Sequence, residues 1–403
     1  MITFLALSLT IIVTGGNSLA LSENACILPR AGMPTNMSML IGENGKVYPQ
    51  NEDNGDIILP LGSIITVSCA PATNLLQNYN VNEIEVECRG EAGLMVIPSL
   101  VPTSFDQLGC SNRIKEDVVE IETCYKGSSN VSIQFDSATE RLPLITVCHN
   151  RTAGNTLYSH HTLYGGSGKV PETSNKRPSF KKDNFYGKVS PDTSYSQSNQ
   201  IDIVTSLVGS APLANQYIDP SQSFYFARGH LSPDGDFIYV AEQNATYYFI
   251  NVIPQWQSIN NGNWKAMEMA VRDLASQRGS SLEIYTGGYS TLALKDKDDK
   301  PVEIYLARDP ITNELMIPVP KLTWKIVHDP KQKTATVIVM VNNPHELSIT
   351  SKDIICKDVC DQIKWVTWDR GNVRKGYTYC CTLSTFNKQV PYAPKISGVK
   401  LLV

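Results

Sequence analysis

One of the six histidines of this 403-residue chain lies in the stretch FYFARGHLSPDGDF, residues 224–237, where an apolar run ends. A neutral imidazole accepts a proton near neutral pH, so His230 could serve as a general base. A histidine at the end of an apolar strand is also commonly a half-buried structural side chain. The residues that follow His230 decide between these two interpretations, and the other five histidines have no comparable sequence surroundings.

Two further elements follow His230. The run ATYYFINVIPQ is rich in aromatic and β-branched residues and predicts a second strand that ends at Asn251 and a proline. The stretch NWKAMEMAVRDLASQ then has the helical period, with Trp264, Met267, Val271 and Leu274 on one face and the asparagines between Asn260 and Asn263 as capping residues. The sequence therefore predicts a strand, a strand and a helix in this order.

Polar residues of this segment could converge on one point. Glu268 and Arg272 are four residues apart and share a helix face, and Asn260 lies at the helix entrance. Each also has a simpler interpretation: Asn260 as a helix cap, and Glu268 with Arg272 as a surface ion pair. Arg228 could likewise be a solvated strand residue.

The ordered pattern ARGH followed by INVIPQWQSINNGNWKAMEMAVR resembles the DNA/RNA non-specific endonucleases with a ββα-metal finger, in particular the secreted arthropod nucleases of double-stranded RNA and DNA. The resemblance extends over roughly residues 125–400. Upstream, RPSFKKD is similar to a second family element and aligns Arg177 with an active-site arginine.

The resemblance implies a role for each of these residues. His230 would be the general base, and Asn260 would bind Mg²⁺, for which Mn²⁺ can substitute. Glu268 would hold a water molecule of that ion or orient the cluster, and Asn251 would fix positions by hydrogen bonding. The candidate phosphate contacts are Arg177, Arg228 and Arg272.

One position departs from the family pattern. The family motif begins Asp-Arg-Gly-His, whereas this chain has Ala227 at the first position. The resemblance gives that aspartate a supporting role, so its loss concerns efficiency before it concerns the mechanism. Ala227 therefore keeps open the alternative of a secreted nucleic-acid-binding protein that has the nuclease fold and little or no turnover.

The charge distribution bears on the substrate. The formal net charge is −4, so a surface that binds nucleic acid must be a local one. The stretch from Lys169 to Lys188 is basic and contains Lys181 and Lys182, which we expect to bind substrate. A run of charges is otherwise often only a solvated face.

The amino terminus reads MITFLALSLTIIVTGGNSLA and resembles a secretory signal over residues 1–20. Its apolar run is too short to span a membrane, and no later segment is long enough. Export favours pairing of all ten cysteines, with the four from Cys356 to Cys381 bridging within the catalytic domain. Zinc binding by CKDVC and YCC is the less favoured alternative. Four sequons predict glycosylation at Asn36, Asn130, Asn150 and Asn244.

The order of elements predicts two domains after the signal. Residues 21–125 have short β-prone runs between turn residues and predict a small, β-rich, disulfide-stapled domain. Residues 126–403 have strand-like runs and a few helical segments, with an exposed loop stretch from Tyr164 to Gln200. We therefore expect an α+β fold in which the endonuclease domain has a central antiparallel sheet.

These observations predict a secreted, Mg²⁺-dependent, sugar-non-specific endonuclease. It would hydrolyse phosphodiester bonds of double-stranded RNA and DNA through phosphate-backbone contacts, without base readout, membrane attachment or a protein partner. Besides the binding protein named above, a purely structural secreted glycoprotein would explain the cysteines but not the ordered polar residues.

Overall fold

A computed structural model describes residues 25–43, 45, 56–138, 140–169 and 177–403. The predicted signal at residues 1–20 lies outside these residues, as does Lys176 of the basic stretch. The described chain divides into two compact units, residues 25–112 and residues 113–403.

The first unit is a β-rich module. Its strands, β1–β7, are Ala25–Leu28, Met39–Ile41, Ile57–Pro60, Ile64–Ser68, Glu83–Cys88, Leu94–Ile97 and Val101–Thr103. β1 pairs with β3, and the others form an antiparallel sheet in the order β2-β4-β5-β6-β7. The disulfides Cys26–Cys88 and Cys69–Cys110 staple the unit, as the sequence predicts.

The second unit is built on a large sheet. Its strands, β8–β22, are Asp117–Tyr125, Ser128–Asp136, Arg141–Asn150, Asn155–Leu163, Phe226–His230, Val252–Trp256, Leu282–Thr291, Ala293–Lys295, Pro301–Glu303, Tyr305–Arg308, Leu315–Pro318, Pro320–Asp329, Thr334–Val341, Thr378–Cys381 and Lys400–Leu401. Within the described residues this sheet has the order β21-β20-β19-β14-β11-β10-β9-β8, with β22 parallel to β20 and all other pairs antiparallel. The predicted α+β class with a central antiparallel sheet is confirmed.

The helices of this unit are short, apart from two. In chain order, α1–α7 are Pro191–Ser194, Gln197–Val208, Ala211–Tyr217, Val240–Ala245, Gln257–Ile259, Lys265–Arg278 and Leu383–Phe386. α2 lies at the end of the stretch for which the sequence predicts loops. Ser196 caps it by accepting a hydrogen bond from the backbone of Asn199, and Gly209 ends it in the left-handed conformation. Although the sequence of α2 is mostly polar, its residues Ile203, Val204 and Val208 are buried.

The two faces of the large sheet have different roles. On one face, Trp324, Val337 and Val339 pack with Phe386 in an apolar core. Successive residues of a strand point to opposite faces, so Lys325 lies on the other face, where its ammonium is 5.4 Å from the ring centre of Trp264. Trp264 directly precedes α6, and this second face therefore lies beneath that helix.

The predicted strand, strand and helix are present with one correction. β12 pairs antiparallel with β13, and α6 follows with Met267, Val271 and Leu274 buried, as the helical period predicts. The second strand begins only at Val252, because residues 249–251 form a 3₁₀ turn, and it continues through Pro254 to Trp256 instead of ending at that proline. In this turn the ring of Phe249 packs against Phe180. Tertiary burial thus overrides the β propensity of the aromatic run.

The division between the units differs from the predicted boundary near residue 125. It lies between Asn112 and Arg113, because β8 pairs with β9 as an edge strand of the large sheet. The disulfide Cys124–Cys148 joins β8 to β10 of the same sheet.

The four C-terminal cysteines bridge among themselves, as Cys356–Cys381 and Cys360–Cys380. Among the described residues, the only group of three His, Cys, Asp or Glu side chains close enough to share a metal ion is Asp358, Cys360 and Cys380, and its two sulfurs are bonded to each other. This pairing contradicts the zinc alternative. In the part of the chain that the structure describes, no helix is long and apolar enough to cross a membrane.

Candidate active site

His230 ends β12 in an aromatic environment. Its ring centre lies 5.2 Å from that of Phe180 and 5.0 Å from that of Tyr247. Its Nε2 is buried and has no hydrogen-bond partner among the described residues. Burial lowers the pKa of His230 to about 4, and the carboxylate of Asp234 opposes this shift while the charge of Arg177 reinforces it. The imidazole is therefore neutral at neutral pH, as a general base must be.

Asn251 fastens the chain that follows His230. Its Oδ1 accepts a hydrogen bond from the backbone N–H of Ser232 at 3.0 Å, and its Nδ2 donates to the carbonyl of Ser232 at 2.8 Å and of Thr246 at 2.9 Å. The side chain is fully buried, and these bonds use both of its polar atoms. Asn251 thus ties the backbone at Ser232 to that at Thr246.

Arg177 reaches the same loop from upstream in the chain. Its Nε lies 3.5 Å from Oδ2 of Asp234, while 72% of its side chain is exposed. The hydroxyl of Tyr247 donates to the same oxygen at 2.6 Å. Asp234 therefore brings an exposed guanidinium and a tyrosine together beside His230.

Arg272 is held by a buried carboxylate. Its Nη1 donates to Oδ1 of Asp236 at 3.0 Å, and Nε2 of His161 lies 2.9 Å from Oδ2 of the same residue. Burial alone would raise the pKa of Asp236, but the hydrogen bond and charge of His161 and the charge of Arg272 hold it at about 2. Asp236 is thus ionised and orients Arg272, whose guanidinium also lies against Gly235.

Glu268 lies one helical turn before Arg272 on α6. Burial raises its pKa to about 7, which the charges of Lys325 and Arg272 oppose and that of Asp236 reinforces. Lys325 is itself buried on β19, where its Nζ donates to the hydroxyl of Thr286 at 2.6 Å. The carboxyl of Glu268 consequently changes protonation near neutral pH and lies in a field of mixed charge.

Asn260 begins a π-helical turn, residues 260–264, that leads into α6. Its side chain is partly exposed and makes no hydrogen bond within the described chain, so it does not cap the helix. Neighbouring Asn263 is buried and structural, because its Nδ2 donates to the carbonyls of Asp369 at 2.9 Å and Gly376 at 2.8 Å. Within the described chain, the free carboxamides in this turn are therefore those of Asn260 and of the exposed Asn261.

Arg228 and Ala227 lie on β12 beside His230. Arg228 donates from Nη2 to Asp192 at 2.8 Å, and its guanidinium lies 5.5 to 5.6 Å from the ring centres of Phe180, Tyr195 and Phe249. Its Nε is buried without a hydrogen-bond partner in the described structure. Ala227 pairs with Gln255 in the hairpin and brings no carboxylate to the site.

The two lysines expected to bind substrate have different surroundings. The ammonium of Lys181 pairs with the buried carboxylate of Glu116 and lies 4.5 Å from the ring centre of Tyr248. Burial lowers the pKa of Lys181 to about 8. Lys182 is exposed and makes no ion pair within the described chain. Lys181 is therefore engaged inside the fold, and only Lys182 presents a free charge.

Four ionisable residues of this site did not emerge from the sequence. Asp234 and Asp236 lie within six residues of His230, and two carboxylates so near a candidate base indicate from the sequence that they belong to its site. His161 and Lys325 gave none, because they come from β11 and β19 and reach the site only through the pairing of the sheet.

The site combines a neutral base, oriented guanidinium groups, a half-buried carboxyl and a free carboxamide. Guanidinium groups match the geometry of phosphate oxygens, and the base is placed to take a proton. This combination is suited to hydrolysis of a phosphodiester.

Comparison with known proteins points the same way. The family model of the DNA/RNA non-specific endonucleases matches residues 126–386. A "Salivary endonuclease" of Lutzomyia longipalpis is 35% identical over 300 residues, covering 71% of this chain and 68% of that protein. "Salivary protein Tsal2A" of Glossina morsitans morsitans is 27% identical over 373 residues, covering 90% of this chain and 89% of that protein.

Among solved structures, a chain of the EndoG/EndoGI complex matches 64% of this chain and 83% of its own length, with 17% identity and a TM-score of 0.38. The family model covers more than half of the chain, and the predicted resemblance is confirmed. This protein therefore belongs to the DNA/RNA non-specific endonuclease family and is a nuclease.

Proposed function

We propose that this nuclease hydrolyses phosphodiester bonds of double-stranded RNA and DNA, with Mg²⁺ as cofactor, through contacts to the phosphate backbone and without base readout. The observation that carries the proposal is the unpartnered, buried Nε2 of His230 beside a loop that holds two arginines through Asp234 and Asp236. A neutral, unpartnered nitrogen beside a loop that holds two guanidinium groups is suited to activating a water molecule for attack on an anionic ester.

His230 acts as the general base of this scheme. Its neutral imidazole takes the proton of the attacking water as the new phosphorus–oxygen bond forms and the bond to the leaving oxygen breaks. Arg272 and Arg177 contact phosphate oxygens, and Arg228 is a third candidate on β12. Asn251 keeps the loop after His230 in place, and Lys182 adds a backbone contact at the surface.

The residues around Asn260 fit a divalent cation. Its carboxamide offers a partly exposed oxygen with no partner among the described residues, and oxygen is the donor that Mg²⁺ prefers. Asn260 would hold the ion, and Glu268 would hold one of its waters or orient the cluster. When bound, Mg²⁺ or Mn²⁺ would supply positive charge that stabilises the leaving oxygen.

A second candidate function is supported by Ala227. A family member that lacks the carboxylate at this position could bind nucleic acid through the same arginines while cleaving little of it. This alternative shares the fold and the binding surface and differs only in turnover.

We also propose that the protein is secreted and glycosylated, with residues 1–20 removed and the catalytic domain formed by the unit of residues 113–403. Five disulfides favour an oxidising compartment, and two relatives have names that begin with "Salivary". The four sequon asparagines, at positions 36, 130, 150 and 244, are each partly exposed.

The first experiment compares wild type with His230→Ala on duplex RNA and duplex DNA. We expect cleavage to slow by at least about 10²-fold, the usual contribution of a positioned base, while binding of both substrates survives. Excess chelator should abolish cleavage by wild type, and added Mg²⁺ should restore it.

Three results would count against this scheme. Equal turnover of wild type and His230→Ala would make His230 structural, and full activity in excess chelator would exclude the Mg²⁺ requirement. Tight binding without turnover by wild type would instead favour the binding protein. Ala227→Asp is the matched variant, since a gain of turnover in it would identify Ala227 as the cause.

A further inference from the structure

We propose that the loop between Cys360 and Cys380, residues 361–379, is a second substrate-binding surface, in which Arg374 contacts the phosphate backbone next to the turn that contains Asn260. We call these residues the clamped loop. The inference rests on the proposed function and deepens it, because it names a part of the nucleic-acid surface that lies outside the basic stretch at residues 169–188.

The clamped loop is attached directly to the turn of Asn260. Asn263 of that turn donates to the carbonyls of Asp369 and Gly376, and its Oδ1 accepts from the N–H of Asp369 at 3.2 Å. A Cβ placed on Gly262 would lie 2.7 Å from the carbonyl oxygen of Lys375. The two backbones are therefore in contact, and a substrate strand at Asn260 passes close to residues 374 and 375.

The clamped loop is also held at its ends. Cys360–Cys380 closes it, and Cys356–Cys381 ties the flanking residues together. Inside it, Arg370 pairs with Asp358 at 2.6 Å and with Asp361 at 2.5 Å. A surface fixed in this way loses little conformational entropy when it binds a partner.

Arg374 is an exposed cation of this loop that no carboxylate neutralises within the described chain. The charge of Arg370 is matched by two aspartates, and Lys375 faces Asp369 at 3.6 Å. Arg374 instead donates to Oε1 of Gln222 at 3.1 Å and lies 4.9 Å above the ring centre of Phe224. An aromatic ring and a neutral amide orient a guanidinium without cancelling its charge.

The position and charge of Arg374 favour a phosphate group as its partner. Phe224 precedes β12, and the backbone of Ser258, in the turn before Asn260, donates to the carbonyl of Ser223. Arg374 is therefore next to the end of the hairpin at which β12 begins and β13 leads into the turn of Asn260. A guanidinium that keeps free donors at such a place is suited to a nucleic-acid backbone.

The test measures cleavage and binding of duplex RNA and duplex DNA by Arg374→Ala and Arg374→Lys, as full chains. Lys331→Ala is the matched control, because Lys331 is an exposed cation on the turn between β19 and β20. We expect Arg374→Ala to weaken binding by about 3- to 10-fold. The slope of log Kd against log salt concentration should fall by about 0.9, because each phosphate neutralised on a duplex contributes about that much to the slope. Arg374→Lys should regain part of the affinity. The kcat and the melting temperature of both Arg374 variants should equal those of wild type.

The outcomes separate this inference from the proposed function. If wild type neither binds nor cleaves nucleic acid, the proposed function fails and this surface fails with it. If wild type is active and Arg374→Ala has the affinity and salt slope of Lys331→Ala, only the clamped loop is excluded. A lower melting temperature and a lower kcat in both Arg374 variants, with binding retained, would also overturn the inference and make Arg374 structural.

Discussion

Glu268 is a carboxyl whose burial and function are in conflict. Burial raises its pKa to about 7, from an ordinary value of 4.5. The folded protein therefore binds the carboxyl proton of Glu268 more tightly than the unfolded chain does. Ionising Glu268 in the metal-free protein lowers the free energy of unfolding. This loss develops as the pH rises from 4.5 towards 7. Functional sites commonly carry such a cost.

We expect Glu268→Gln to stabilise the metal-free protein at alkaline pH and to impair cleavage. Glutamine has no charge to bury, so the melting temperature of the variant in chelator should exceed that of wild type at about pH 8. The corresponding gain in the free energy of unfolding is roughly 1 to 2 kcal/mol. The difference should shrink towards pH 4.5, where wild-type Glu268 is largely protonated in the folded state. Calorimetry across this range checks it, and a difference that is the same at about pH 5 and about pH 8 would contradict the burial argument.

Asp236 is a positioning residue, because its carboxylate holds Arg272 at 3.0 Å and is itself held by His161. We expect Asp236→Asn to lower kcat/KM by about 10-fold or more, since a hydrogen bond between charged groups contributes roughly 1.5 to 3 kcal/mol. If Asp236 acts through Arg272, the same substitution in an Arg272→Ala background should have little further effect. Fully additive losses in this double-mutant cycle would show that Asp236 acts elsewhere.

At the scale of elements, the turn of residues 260–264 links the hairpin to α6 and also meets the clamped loop. Gly262 is required there by close approach, since a Cβ would lie 2.7 Å from the carbonyl oxygen and 2.9 Å from the Cα of Lys375. Backbone atoms cannot move away as the end of a flexible side chain can. A residue larger than glycine must therefore displace the turn that presents Asn260.

We expect Gly262→Ala to raise the Mg²⁺ concentration needed for half-maximal cleavage several-fold, because Asn260 moves with the turn. Gly371→Ala is the control, since a Cβ on Gly371 of the clamped loop meets no atom within 4 Å. Metal titrations of both variants test this. Equal Mg²⁺ requirements in the two would indicate that the turn accommodates the added carbon without moving Asn260.

The elements of the site differ in how far the sequence predicts them. β12 and α6 follow from local patterns, and so does the proximity of Glu268 to Arg272. The short β13 does not, because the burial of Phe249 and the hydrogen bonds of Asn251 convert the start of the aromatic run into a turn. His161 and Lys325 enter through strand pairing between segments distant in the chain, for which no local pattern exists.

At the scale of the molecule, the parts of the sequence before and after Asn112 carry net charges of opposite sign. Residues 25–112 contain three Lys and Arg against nine Asp and Glu, a net charge of −6. Residues 113–403 contain 32 against 29, a net charge of +3. The acidity of the whole chain is thus a property of its amino-terminal part. The part that contains the candidate site is mildly basic, which suits a polyanionic substrate.

The boundary between the units shows a limit of composition as a guide. β8 resembles the short β-prone runs before it, so the sequence assigns it to the first domain. Pairing with β9 and the Cys124–Cys148 bridge place it in the second. A strand belongs to the sheet that satisfies its backbone hydrogen bonds, and composition does not reveal that partner.

The adjacent cysteines at positions 380 and 381 have a consequence for oxidative folding. Neighbouring residues of β21 point to opposite faces, so their bridges to Cys360 and Cys356 leave on opposite sides of the strand. An isomer with these partners exchanged would have to turn the strand over, which would remove the fully buried Tyr379 from the apolar core. Thiol–disulfide exchange can therefore sort the two isomers, because only one permits the native packing of the sheet edge.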